Sequence, residues 1–142
     1  MEKNQLFFVA VKACIFRSNK ILLTRGKDSL CWELPGGRIN TDEIGKPFDE
    51  VLTREVKEEL GQDVFFTIGG VATHYLRTTH GGDPVFLVCI HCQWERGTIM
   101  LSQEDNSYRW VTEQESFQLP LVNNFEPALK KFGILIIKKS NQ

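Results

Sequence analysis

Nothing in this sequence is long and apolar enough to cross a membrane as a helix, and the opening Met1-Glu2-Lys3-Asn4-Gln5 is too polar for a secretory leader. Neither sign of charge dominates, since 17 Lys and Arg face 18 Asp and Glu, and the basic residues are dispersed. Without a polybasic stripe, a nucleic-acid polymer is not the expected partner. Cysteines are few, and only Cys89-Ile90-His91-Cys92 has a spacing that suggests metal. That segment reads as a strand, in which residues 89 and 92 face opposite ways and cannot grip one zinc. Cys14, Cys31, Cys89 and Cys92 therefore read as reduced thiols of a reducing compartment. No internal repeat, linker or low-complexity stretch divides the 142 residues, which suffice for one domain with a substantial core. The expectation is a cytoplasmic, single-domain protein with neither membrane nor nucleic acid as partner, monomeric or homodimeric.

What the chain does have is a glycine pair followed by a helix crowded with acid. Gly36-Gly37-Arg38-Ile39-Asn40-Thr41-Asp42-Glu43 leads into Arg54-Glu55-Val56-Lys57-Glu58-Glu59-Leu60-Gly61. Glu55, Glu58 and Glu59 stand at i, i+3 and i+4, so a helix gathers them on one side. Each like-charge pair at that spacing is unfavourable by about 0.2–0.5 kcal/mol, and Lys57 points elsewhere. Alone, Glu55 to Leu60 reads as a solvated helix face. Coupled to the glycine turn, it reads as a platform for Mg²⁺, or Mn²⁺ in its place, which coordinate carboxylates together with phosphate oxygens. A small phosphorylated ligand is the partner such a platform calls for.

The helix is predicted from Pro47, at its first position, to Gly61, with Asp49 and Glu50 in the first turn and Phe48, Leu52, Val56 and Leu60 as its buried stripe. Arg54 lies one turn before Glu58, the spacing of a surface ion pair. Elsewhere the chain reads mainly as strands. Residues 6–16 and 20–25 flank Ser18-Asn19 as a hairpin, and further strands are predicted over 63–77, 84–94, 98–101 and 108–111. Gly69-Gly70 marks a break or bulge and Gly81-Gly82 a loop. A closing helix near 124–132 would pack through Phe125, Ala128, Leu129 and Phe132.

Leu34-Pro35-Gly36-Gly37, five residues, Glu43, and then Arg-Glu-aliphatic-x-Glu-Glu-x-Gly from Arg54 to Gly61 resemble the signature of the Nudix hydrolases. Two departures stand out. Ten residues separate Glu43 from Arg54, a three-residue insertion relative to the signature, and Gln62 follows the last glycine where an aliphatic residue is usual. The insertion leaves the role of Glu43 open. The resemblance implies an α/β fold, a sandwich of helices around a mixed β-sheet, over residues 1–142, with the signature at 37–61. It also implies Mg-dependent hydrolysis of a diphosphate linkage in a nucleoside-diphosphate-X substrate. A nucleoside triphosphate or related nucleotide is preferred because the chain is short and carries no further domain. By the same resemblance, Glu55 and Glu59 are the principal metal ligands with a backbone carbonyl at Gly36 or Gly37, Glu58 is a ligand or the partner of a metal-bound water, and Arg54 orients the array. Glu55 or Glu104 serves as general base, with Asp105 an alternative to Glu104. Trp32, Phe7, Tyr75 and Tyr108 offer rings for stacking on a base, against their commoner fate in a core. Trp32, Tyr108 and Arg38 are the candidates for substrate contact. The competing reading is a non-catalytic Nudix-like module that binds nucleotides for a partner.

Overall fold

In the computed structural model, which describes residues 3–131, β1 (Phe8–Arg17) and β2 (Lys20–Gly26) form the predicted hairpin, with Ser18 at φ 57° in its turn. Two short strands follow, β3 (Trp32–Glu33) and β4 (Gly36–Arg38), then a 3-10 turn (Thr41–Glu43) and helix α1 (Phe48–Leu60). β5 (Val64–Thr78) and β6 (Pro84–Gly97) make a long antiparallel hairpin, and β7 (Asp105–Val111) returns to β2. A short helix α2 (Glu113–Ser116) and a helix over residues 125–131 complete the described chain.

The sheet is mixed. β1 runs antiparallel to β2 and β4 but parallel to β6, in register from Phe8 opposite Val85 to Phe16 opposite Gln93. Two parallel strands need a crossover between them, and that crossover carries α1. β1 is consequently buried on both faces, and alternation sorts its residues. Ala10, Cys14 and Phe16 join a core with Phe125, Ala128 and Leu129 of the last helix. Val11, Ala13 and Ile15 join a second core with Val51, Leu52, Val56 and Leu60 of α1. Helices thus cover both faces of one sheet, and no helix among the described residues is long and apolar enough to span a membrane. Cys89 and Cys92 fall into opposite cores, as their strand spacing required.

Several sequence expectations are corrected. Pro47 caps α1 from outside rather than occupying its first turn. Phe48 is 44% exposed, and Val51 replaces it in the buried stripe, because the first turn of α1 overhangs the sheet beside Phe7 and Phe8. Residues 98–101 form no strand. Their amides turn instead to the end of α1, where Met100 N–H donates to the Leu60 carbonyl at 2.7 Å and Ser102 N–H to that of Glu59 at 3.0 Å. The last carbonyls of a helix have no partner within it, and this segment supplies donors a strand would have spent on a neighbour. β7 starts three residues before Tyr108, and α2, capped reciprocally by Thr112 and Glu115, was not foreseen. The Gly69-Gly70 irregularity is present, as a register shift between Ile68 and Val71. Phe132 lies outside the described residues.

Candidate active site

Between the glycine turn, α1 and the loop before β7 lies an open cleft of about 670 Å³, lined by Glu33, Gly36, Gly37, Arg38, Glu55, Glu58, Glu59 and Glu104, with Gly26, Ser102 and Gln103. The volume is that of a small-molecule site. Gly36 is required by contact as well as by conformation. Gly36 sits at φ 137°, and a Cβ there would overlap the carbonyl oxygen of Val11. At Gly37 a Cβ would overlap the carboxylate of Glu55. The turn has no side chains because β1 lies against it on one side and an acid on the other.

Arg54 organises the acids. Its Nε and Nη2 donate to Glu43 at 2.6 and 2.5 Å, Nη2 also reaches Glu55 at 2.8 Å, and Nη1 donates to Glu58 at 3.0 Å. One planar guanidinium, with donors in a rigid fork, bridges three carboxylates. Glu43, 5% exposed, additionally accepts from the backbone N–H of Asn40 at 2.8 Å. The role of Glu43 that the insertion left open is thereby defined: it anchors Arg54. The extra residues bulge outward at Ile44, which is largely exposed, and at Gly45, with φ 93° and open space around it. The hydrogen bonds of Arg54 hold the Glu43 carboxyl below the usual carboxylate range.

Glu59 points inward. Its Oε2 accepts from the N–H of Gly36 at 2.8 Å, and its Oε1 from the hydroxyl of Thr24 at 2.9 Å. Beneath the glycine turn, Lys12 is almost wholly buried and its Nζ donates to Glu33 at 2.9 Å and to the Gly36 carbonyl at 3.4 Å. Arg77 holds the second oxygen of Glu33 at 3.2 Å. Burial alone would push the Glu33 carboxyl up, but Lys12 and Arg77 outweigh it and leave it below its ordinary value. Burial would likewise lower the Lys12 ammonium, yet the charges of Glu33 and Glu59 hold it above its ordinary range. The pair accordingly contributes stability that is lost as pH falls through the lowered Glu33 value and lost again as pH rises through the raised Lys12 value. Glu33→Gln is expected to lower the melting temperature at neutral pH, with the gap from the parent protein closing in acid. Melting curves across pH check this.

Glu55 differs from Glu33. Burial raises its carboxyl above the ordinary value despite Arg54 and Lys12, and the charge of Glu58 adds to the rise. Among the described residues no three acidic, histidine or cysteine side chains close on a common point; Glu55 and Glu58 are held on Arg54 instead. The donor set nevertheless fits a hard divalent cation, since it consists of carboxylate and carbonyl oxygens.

Of the other residues singled out in the sequence, Arg38 lines the cleft but is engaged, paired with Asp83 at 3.1 Å and stacked over Phe8. Trp32 is 5% exposed and packed in the core between Arg25 and Arg109, so its ring is withdrawn from the cleft. Tyr75 is buried against Phe125, whereas Phe7 and Tyr108 are exposed. Tyr108 stands opposite Thr24 across the β2–β7 pair, on the face that carries Glu59. Glu104 is an exposed cleft residue whose carbonyl accepts from Lys27 N–H at 2.8 Å, which fixes its loop to the end of β2. The side chain of Asp105 lies outside the described part of the structure. Sequence reasoning missed Lys12, Thr24 and Glu33. Lys12 left a trace, as the only charge inside a strand otherwise apolar on both faces.

A sheet covered by helices on both faces, with a glycine turn and an acidic helix meeting at its rim, defines an α/β class in which one turn and one helix build the cleft. A family model for the NUDIX domain matches residues 6–132, and the chain belongs to that family. It is 30% identical over 111 residues to a MutT-like protein of Streptomyces ambofaciens, an alignment covering 78% of this chain and 67% of that one. It is 45% identical over 53 residues to a putative ADP-ribose pyrophosphatase, YjhB, of Bacillus subtilis (strain 168), covering 37% of this chain but only 24% of that protein. Among solved structures, the MutT protein from Methanosarcina mazei Go1 shares the fold with a TM-score of 0.77 at 22% identity, covering 99% of this chain and 100% of that one. Nudix hydrolases generally use divalent metal ions.

Proposed function

We propose that this protein hydrolyses the diphosphate linkage of a nucleoside-diphosphate-X compound with Mg²⁺, and that its substrate is a nucleoside triphosphate or related nucleotide. One observation carries the reading: Glu55 and Glu59 are brought to Gly36 and Gly37 in a cleft of nucleotide size, which gathers carboxylate and backbone oxygen donors in one place. A diphosphate resists attack because its own oxygens are anionic, so the catalyst has to neutralise charge and place water in line with the leaving oxygen. A bound divalent cation supplies that neutralisation and acidifies water.

The residues that would hold it are Glu55, Glu58 and Glu59 with the carbonyl of Gly36 or Gly37. Arg54 keeps Glu55 and Glu58 apart until then. Glu55 is our choice of base, since its carboxylate lies against Gly37 in the cleft, where it can accept a proton from water. The water oxygen forms a new bond to phosphorus, the bridging P–O bond breaks, and the departing phosphate leaves with that bond's electrons. Glu104, exposed and fixed only through its backbone, is the other candidate base. A cytoplasmic setting fits four free cysteines.

The test is product release from a panel of nucleoside triphosphates, nucleoside diphosphates and ADP-ribose with Mg²⁺, Mn²⁺ or chelator. Activity on at least one of them is expected to vanish in chelator and to return with either metal. Undiminished turnover after exhaustive metal removal would sink the reading, and no turnover on any would favour a binding module. ADP-ribose belongs in the panel because of the locally similar Bacillus relative.

A further inference from the structure

We infer that Thr24 is a positioning residue for Glu59, acting through its hydroxyl from the middle of β2. This rests on the proposed metal-assisted reaction, and its starting point is an anomaly in the sheet. Ile21, Leu22 and Leu23 are fully buried, and Thr24, 1% exposed, continues the run with a polar group that packing alone does not require. Valine has the same branched shape and packs a strand interior without a hydroxyl to satisfy. The hydroxyl has a use. Its Oγ1 lies 2.9 Å from Glu59 Oε1, and because an ionised carboxylate only accepts, the hydrogen of this bond belongs to Thr24.

Glu59 needs such help more than its neighbours on α1. It is the penultimate residue of the helix, where the backbone dipole presents its negative end and a carboxylate is disfavoured. Arg54 holds Glu43, Glu55 and Glu58. Two donors from the sheet side reach Glu59: the Gly36 N–H on Oε2 and the Thr24 hydroxyl on Oε1. A donor on each oxygen fixes the carboxylate in orientation. Gly36 lies in the short strand β4, and Thr24, buried in β2, ties Glu59 to the central hairpin. Groups of this kind behind a ligand typically contribute 10–100-fold to metal affinity or activity.

The test compares the parent protein with Thr24→Val and Thr24→Ser, reading Mn²⁺ affinity by electron paramagnetic resonance, kcat and KM on the best nucleotide, and melting temperature. Thr24→Val is expected to weaken Mn²⁺ binding about tenfold and to lower kcat by a similar factor with KM little changed, at nearly unchanged melting temperature. Thr24→Ser, which keeps the hydroxyl and loses only the methyl, should recover most of both. If Thr24→Val misfolds, Thr24→Ala against Thr24→Ser carries the same expectation. Equal Mn²⁺ affinity in Thr24→Val and parent overturns the assignment, as does a Thr24→Ser variant as impaired as Thr24→Val, which would make the effect one of shape. A parent protein that binds no Mn²⁺ fails differently: it removes the proposed metal-assisted reaction itself, and the Thr24 assignment with it.

Discussion

Replacing Glu59 by glutamine is expected to lower turnover by about 10²–10⁴-fold, the range for a lost catalytic group, while the protein still folds. The structure explains why folding survives. The glutamine carbonyl can accept from Gly36 N–H as Oε2 does now, and the Thr24 hydroxyl can rotate to accept from the new NH₂ group. Geometry is kept and only charge is removed, from a carboxylate facing the cleft. Lys57→Gln is the matched control on the same helix. Lys57 reaches only the Gln62 carbonyl, at 3.4 Å, and the ring of Phe65, so its loss should leave turnover near the parent value. Rates at saturating Mg²⁺ and nucleotide, with melting curves for both variants, make the measurement. Equal activity in the two would show the acidic face to be surface decoration.

The second large effect is expected at Arg54. Arg54→Met removes the guanidinium that bridges Glu43, Glu55 and Glu58, leaving a buried Glu43 without its cation and two helix acids facing each other. An uncompensated buried charge is strongly destabilising, so the melting temperature at neutral pH should fall by several degrees and turnover by roughly 10²-fold or more. The pH dependence has a defined sign. Because Arg54 holds the Glu43 carboxyl below its unfolded value, the contribution is fully present above the ordinary carboxylate pKa and is lost as pH falls through the lowered one. The deficit of Arg54→Met should therefore shrink in acid. Arg54→Lys should not restore activity, because a single ammonium cannot reproduce the fork toward three partners. A variant as stable and active as the parent would mean that the array organises itself without Arg54.

Those two residues were legible in the sequence because their function depends on local spacing. Glu55, Glu58 and Glu59 share a helix with Arg54, and side chains at such spacings on a helix define a direction whatever the rest of the chain does. The glycine pair was legible for a related reason, since few other residues tolerate the backbone at Gly36. What could not be read was the meeting of distant segments. Glu43 finds Arg54 only because the inserted residues loop outward, which no spacing rule encodes. Thr24 is a reasonable strand residue, and its hydroxyl gains a purpose only once Glu59 lies above β2. The segment 98–101 looked like a strand by composition. It was claimed by the open carbonyls of α1, a tertiary demand that overrides local preference. Phe48 kept the helical period but sat a turn too early to reach the sheet.

The parallel pairing of β1 with β6 bears on how the protein is made. Antiparallel partners of β1 lie close in sequence, in β2 and β4, and can form as soon as they are synthesised. β6 comes after α1 and β5, so its register with Phe8–Phe16 closes a large loop before any contact rewards it. Until that happens α1 has only part of the surface on which Val56 and Leu60 pack, because Val88, Ile90 and Cys92 of that second core belong to β6. A chain still emerging from the ribosome therefore carries Glu33, Glu55, Glu58 and Glu59 without the floor that aims them. Cation affinity should appear late and together with the cooperative core, which leaves the metal to bind a finished cleft rather than to template one.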